Sequence, residues 1–281
     1  MMNGANWIDA ADTAWYETQP DAASFELHSP EELAGLARLV NAGNHFSGKT
    51  VTLTGDIDLA GREWTPIGGG GTGGQFRGDF DGRGHTISNL KITRGLSYTA
   101  ENKSIGLFGA TQDGEIRDFT LYNAEVTGSG YVAAVVGGDA YLESEITGVH
   151  VTGSVRILGY WYAGGILGNG YTTVANCSVT GDGTETSYVK ITGGYVGGIV
   201  GYMGEGNCVT TDCAVKDITV EGAYNGIGGV NGILHYGNTI RGCTVENVAV
   251  WQNTARRKTA GSIAGPLPAL TLTTRAKIRP R

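Results

Sequence analysis

A short apolar element closed by glycine recurs along the second half of this chain. It reads Gly106-Leu107-Phe108-Gly109, Ala134-Val135-Val136-Gly137, Gly165-Ile166-Leu167-Gly168, Gly198-Ile199-Val200-Gly201, Gly229-Val230-Asn231-Gly232 and, loosely, Ser262-Ile263-Ala264-Gly265. The closing glycines lie 28, 31, 33, 31 and 33 residues apart. A second element keeps step between them: Asp118-Phe119-Thr120-Leu121, Gly148-Val149-His150-Val151, Asn176-Cys177-Ser178-Val179, Asp212-Cys213-Ala214-Val215 and Gly242-Cys243-Thr244-Val245. Two elements in phase over several cycles mark a repeat protein. A helical solenoid of this period needs two amphipathic helices per unit, and glycine interrupts every candidate. A propeller blade needs about 40 residues and four strands. Short strands joined by turns and stacked about 4.8 Å per coil remain.

The predicted fold is therefore all-β: a right-handed parallel β-helix of roughly 7–8 coils, on the order of 35 Å long, with one N-terminal capping α-helix. Glycine content agrees, since 48 of 281 residues is roughly two and a half times the usual share of about 7%. Collagen is excluded because glycine does not fall at every third position. Disorder is excluded by the abundance of Val, Ile, Thr and Tyr. A net charge of −7 argues against a nucleic-acid partner, which selects a basic face. The basic residues from Arg256 to Lys258 and at Arg275, Lys277, Arg279 and Arg281 stand outside the repeats. No run of about 18 apolar residues is available for membrane insertion.

Three segments are expected: an irregular leader over 1–28, a helix-capped β-helix over 29–265, and a basic tail over 266–281 that is disordered or a truncated coil. The helix is signalled by Ser29 as N-cap, Pro30 at the first helical position and Glu32 where a capping box needs it. Leu33, Leu36, Leu39 and Val40 make its apolar face, and Asn41-Ala42-Gly43 ends it. Ahead of a stack of strands, such a helix covers the open edge. Stacked coils superpose like residues in columns. Phe119, Val149, Cys177, Cys213 and Cys243 form an apolar column that belongs inside. Parallel side-chain vectors disfavour disulfides in that column, whereas Cys208 and Cys213 could bridge a turn in an exported protein.

These repeats resemble the GLUG-motif family of bacterial surface proteins, whose units centre on elements like Gly-Gly-Ile-Val-Gly and Gly-Leu-Phe-Gly. The resemblance covers about residues 104–265. The segment 29–92 resembles the leader that precedes such repeats, through Ser29 to Gly43, Phe46-Ser47-Gly48-Lys49-Thr50, Asp56-Ile57-Asp58-Leu59, Trp64-Thr65-Pro66-Ile67-Gly68 and Phe80-Asp81-Gly82. The resemblance implies a secreted or wall-attached module of a longer chain, as also found beside immunoglobulin-cleaving peptidases. It implies no catalytic residue. Met1 to Trp7 lacks the basic and apolar regions of an export signal, so either export rests on a segment outside this sequence, the favoured reading, or the protein is intracellular.

Because parallel β-helices also carry polysaccharide lyases and hydrolases, paired carboxylates deserve scrutiny. Asp79 and Asp81 have the i, i+2 spacing that places both on one face of a strand, but aspartates in turns also cap backbone N–H groups. They are the least poor catalytic candidates. Asp79 does not open an EF-hand, because its twelfth position is Leu90. The cysteines and histidines follow no metal-site spacing, and no metal or cofactor is expected. Aromatic residues carry the binding signal: Tyr160-Trp161-Tyr162 precedes one repeat, with Tyr131 and Tyr195 at the equivalent place in its neighbours. A column of rings one coil apart suits the apolar faces of sugars, although Tyr also packs on its neighbour within a sheet. The favoured reading is a non-catalytic extracellular or cell-surface module that presents or binds host glycan or surface protein. A carbohydrate-active enzyme and a passive spacer are the alternatives.

Overall fold

The computed structural model describes residues 6–69, 74–99, 103–139, 144–181 and 189–253. It is a parallel β-solenoid of about seven turns with little helix. Every strand pairing among the described residues is parallel. One coil shows the plan. A long bent strand, Glu115–Thr127, is followed by Tyr131–Ala133 and then by Val136–Asp139. Stacking these segments generates one sheet of fourteen strands and two of five. The recurrent glycine-closed element is the corner that joins the two short sheets.

The interior is built of columns. Phe25, Val51, Phe80, Ile116, Ile146 and Val174 occupy one inward register position, and Ile87, Leu121, Val151, Val179 and Val215 another. All are at most 2% exposed, so one spiral core runs the length of the rod. The predicted column of Phe119, Val149, Cys177 and Cys213 is inside, each at most 1% exposed, and Cys243 is half-buried at the last described coil. None of the four cysteines is in a disulfide; no bridge joins Cys208 to Cys213. The hydrogen bond with Cys177, together with burial, pushes the Cys213 thiol up to about 12, so it packs as a small hydrophobe.

The long strand bends where its backbone turns left-handed. Asp118, Asn176 and Asp212 do so at one corner and Asn89, Asn123, Asp217 and Asn247 at a second, all with φ between 53° and 59° apart from Asn247 at 49°. Asn and Asp tolerate this conformation because their short polar side chains bond locally. At the second corner they form a ladder: Asn123 Nδ2 donates to Asn89 Oδ1 at 3.1 Å and Asn89 Nδ2 to Asp58 Oδ1 at 2.8 Å.

The capping helix spans Pro30–Asn41, with Ser29 as N-cap. Glu32 N–H donates to Ser29 Oγ at 3.2 Å, while Glu32 Oε2 accepts from His28 N–H at 2.8 Å. Leu33, Leu36 and Val40 are fully buried in the same core as the first coils, and Leu39 is only partly buried. Ser29→Ala is expected to lower unfolding free energy by about 1 kcal/mol, read from the urea midpoint; an unchanged midpoint would mean that this end of the rod frays without consequence.

The sheet begins earlier than residue 29. Ser24–Leu27 is its first strand and pairs with Thr50–Leu53, so the helix is inserted between the first two rungs. Phe25 and Leu27 face the core while Ser24 and Glu26 face out, an alternation too short to stand out in the leader. Upstream, residues 7–18 lie across the helix: the Asp12 carbonyl abuts Gly35 and Arg38 reaches the carbonyls of Ile8 and Ala11. The repeat at Ser262–Gly265 and the tail from 266 lie outside the described residues. Among the described residues no helix is long and apolar enough to cross a membrane.

Candidate functional site

Tyr131, Tyr162 and Tyr195 stand at one register position on successive strands of a short sheet, because each opens the strand ahead of a glycine-closed corner. Their ring centroids are 5.6 and 5.5 Å apart, and the Tyr162 and Tyr195 planes differ by only 22°. The row continues to Tyr224, 5.0 Å from Tyr195. Tyr224 lies 6.0 Å from Trp161, and Tyr160 meets Trp161 edge-on at 5.5 Å. The structure thus brings all five residues read from the sequence into one outward-facing patch.

Three members of the patch were not visible in the sequence. Tyr202 belongs to the adjoining sheet and packs 4.7 Å from Tyr162; its hydroxyl bonds His235 Nε2 at 2.8 Å. Tyr224 sits in a turn. The only signal for Tyr202 was its place after the closing Gly201, where other coils carry Ala110, Gly138 or Asn169. Lys103 Nζ stands 5.6 Å from the Tyr131 ring, a cation–π contact at the near end.

The chemistry of the patch follows from how the rings pack. Within the row they lie against one another, and Tyr131, Tyr162 and Tyr195 are each half-buried. The exposed exceptions are Tyr160 and Trp161, at 41% and 37%. Burial and the neighbouring phenols Tyr202, Tyr195 and Tyr98 push the Tyr162 hydroxyl above the usual tyrosine range, and burial, then Tyr171 and Glu205, raise Tyr202. Both stay protonated at neutral pH and retain O–H groups for hydrogen bonding. The patch pairs an accessible indole with a line of phenols.

Asp79 and Asp81 flank the buried Phe80 on the strand Asp79–Asp81 and both face outward. Their oxygens are engaged in the scaffold. Asp79 Oδ1 accepts from Glu115 N–H at 3.1 Å and Asp81 Oδ1 from Arg83 N–H at 2.9 Å. Asp81 Oδ2 is 2.8 Å from Arg117 NH2, and Arg117 also meets Glu115 at 3.1 Å and Asp118 at 3.2 Å. Burial raises the Glu115 carboxyl; Arg117 opposes this, and Glu145, Asp79 and Asp118 reinforce it. Among the described residues no group of three or more His, Cys, Asp or Glu is placed to hold a metal ion.

No family model matches the chain. Halomucin of Haloquadratum walsbyi is 34% identical over 166 residues, an overlap of 54% of this chain and 2% of that protein. The chain thus spans about 2% of the length of the curated relative it matches. A crystal structure of a Bacteroides ovatus protein proposed to be an immunoglobulin A1 protease overlays with a TM-score of 0.47. That overlay has 18% identity and covers 82% of this chain and 77% of the other.

Proposed function

We propose that this chain is a non-catalytic β-solenoid module of the GLUG-motif type, carried outside the cytoplasm by a longer surface or secreted protein, and that it binds host glycan in the manner of an adhesin. The observation that carries this reading is the register-matched aromatic patch. A core-filled rod has no internal need for a Trp and a Tyr held at its outer surface, and sugars pair an apolar ring face with a polar rim in the same way. Trp161 and Tyr160 supply the stacking faces. The phenols of Tyr131, Tyr162 and Tyr195 supply hydrogen bonds along the coil direction.

The test is depletion of purified protein by mucin and by a panel of polysaccharides, with the supernatant also assayed for released sugar ends. The wild-type chain is expected to be depleted without sugar release. Trp161→Ala/Tyr162→Ala is expected to bind at least tenfold more weakly, about 1.4 kcal/mol, with an unchanged circular dichroism spectrum. Unaltered binding by that variant would remove the patch as the site. Sugar release would favour the enzyme reading, supported by the raised Glu115 carboxyl beside Asp79 and Asp81, and such release should vanish in Asp81→Asn. Neither depletion nor release would favour a spacer, or a protein partner at the host surface.

A further inference from the structure

A groove of about 360 Å³ runs across the asparagine corner, away from the aromatic patch. It exists because the backbone turns left-handed at Asn89, Asn123 and Gly153 in three successive coils, so that the outward faces on either side of the bend converge. Its floor is the asparagine ladder, extended by Ser154 N–H donating to Asn123 Oδ1 at 2.8 Å. An amide nitrogen carries two donors, and the ladder uses one from each asparagine. Lys91, Glu125 and Arg156 line one wall and share one register position on successive coils.

These three charges are unusual in their row. One coil spacing separates each from an opposite charge, yet none makes an ion pair or side-chain hydrogen bond among the described residues. Charges nearby do pair: Arg94 with Glu63 at 2.8 Å and Lys190 with Glu221 at 2.7 Å. Beside the groove Tyr122 is 47% exposed. Its ring lies over Gly153, where a Cβ would come within 2.8 Å of Cε2, so glycine keeps the space that the ring occupies.

We propose that this groove is a second saccharide subsite, selective for sugars that carry a carboxylate or sulfate group. Tyr122 offers a face for the sugar ring, the free amide N–H groups of Asn89 and Asn123 donate to hydroxyls, and Glu125 accepts from them. Lys91 or Arg156 takes the anion, the guanidinium by two parallel hydrogen bonds. Glu125 between the two cations disfavours a densely charged polyanion such as nucleic acid, whose affinity grows with the number of phosphates neutralised. This assignment stands independently of the aromatic patch.

Titration calorimetry of the full chain tests it with three probes: tetragalacturonate, a chondroitin sulfate tetrasaccharide and neutral maltotetraose. At least one anionic probe is expected to bind at least tenfold more tightly than maltotetraose; because the chondroitin sulfate probe carries uronate carboxylates as well as sulfates, binding by it and not by tetragalacturonate would assign the anion as sulfate. Lys91→Met/Arg156→Met should weaken that binding at least tenfold and leave the melting temperature in place, because neither side chain has an ion-pair or hydrogen-bond partner among the described residues. Trp161→Ala/Tyr162→Ala should leave it unchanged, which separates this site from the patch even if mucin binding fails. Equal affinity for maltotetraose, no binding by any probe, or loss of binding only in the Trp161/Tyr162 variant would overturn the proposal.

Discussion

Gly168→Ala is expected to destabilise the rod by on the order of 3 kcal/mol or more, the upper end of what overpacking usually costs. The reason is the distance between coils. A Cβ at Gly168 would lie 2.5 Å from both the Gly137 carbonyl oxygen and the Val132 nitrogen of the coil below. These are backbone atoms held by the sheets, and no rotamer change can move them aside. The same clash recurs up the column, at 2.6 Å from the Gly168 oxygen for Gly201 and 2.5 Å from the Gly201 oxygen for Gly232, and closer still at Gly109 and Gly137. Each of the five described closing glycines, Gly109, Gly137, Gly168, Gly201 and Gly232, is thus required by the coil beneath it. Gly61→Ala is the control: φ is +63° there, with nothing within 4 Å of the new carbon, so only the left-handed backbone penalty of about 1–2 kcal/mol remains. Urea unfolding of both variants measures the contrast. Equal losses would mean that the corners stack more loosely than described.

Phe80→Ala is expected to cost about 3–5 kcal/mol, the range for deleting a large buried ring. Phe80 is fully buried and central to a chain of aromatic contacts, 5.2 Å from Phe108 and 5.7 Å from Phe119, both edge-to-face. Phe76 and Phe46 continue the chain toward the helix. The ring therefore joins the capped end of the rod to the regular repeats, and its removal leaves a cavity that coils locked in three sheets cannot collapse to fill. A rod whose coils contact only their neighbours is expected to lose its N-terminal coils before the rest, so the urea transition should broaden as well as shift. Tyr236, 95% exposed, gives the comparison: Tyr236→Ala should stay within about 0.5 kcal/mol of wild type. A Phe80→Ala loss near that value would show that the aromatic chain is not continuous.

Much of the site was legible because a repeat repeats its environment. Tyr131, Tyr162 and Tyr195 precede equivalent corners, and stacking made them neighbours. Tyr224 was not, since it lies in a turn whose length changes from coil to coil: Leu158 to Tyr162, Gly193 to Tyr195 and Gly222 to Ile227. The corner residues left a trace that was read only as a motif: each second element begins with Asp, Gly, Asn, Asp or Gly, at 118, 148, 176, 212 and 242. These are the residue types that accept a left-handed backbone. Asp79 and Asp81 lie side by side on one face, as their spacing implied. Arg117, which takes up Asp81, is far along the chain and belongs to the next coil.

By itself the sequence determined the architecture: the period, the inward columns, the glycine corners and the helix with its Ser29 cap. Each of these is a local requirement that recurs in every coil, so the repetition itself makes it readable. Away from the corner motifs, only the tertiary structure decided which outward side chains meet. Coils differ in length through their turns, so the residue above Lys91 is 34 positions on at Glu125 and the next is 31 further at Arg156. Away from those motifs lateral pairing follows the hydrogen-bonded register of the sheets, which turns of varying length hide from the sequence. The ion pair of Asp81 with Arg117, the Tyr162–Tyr202 contact and the groove over the asparagine ladder are set by that register.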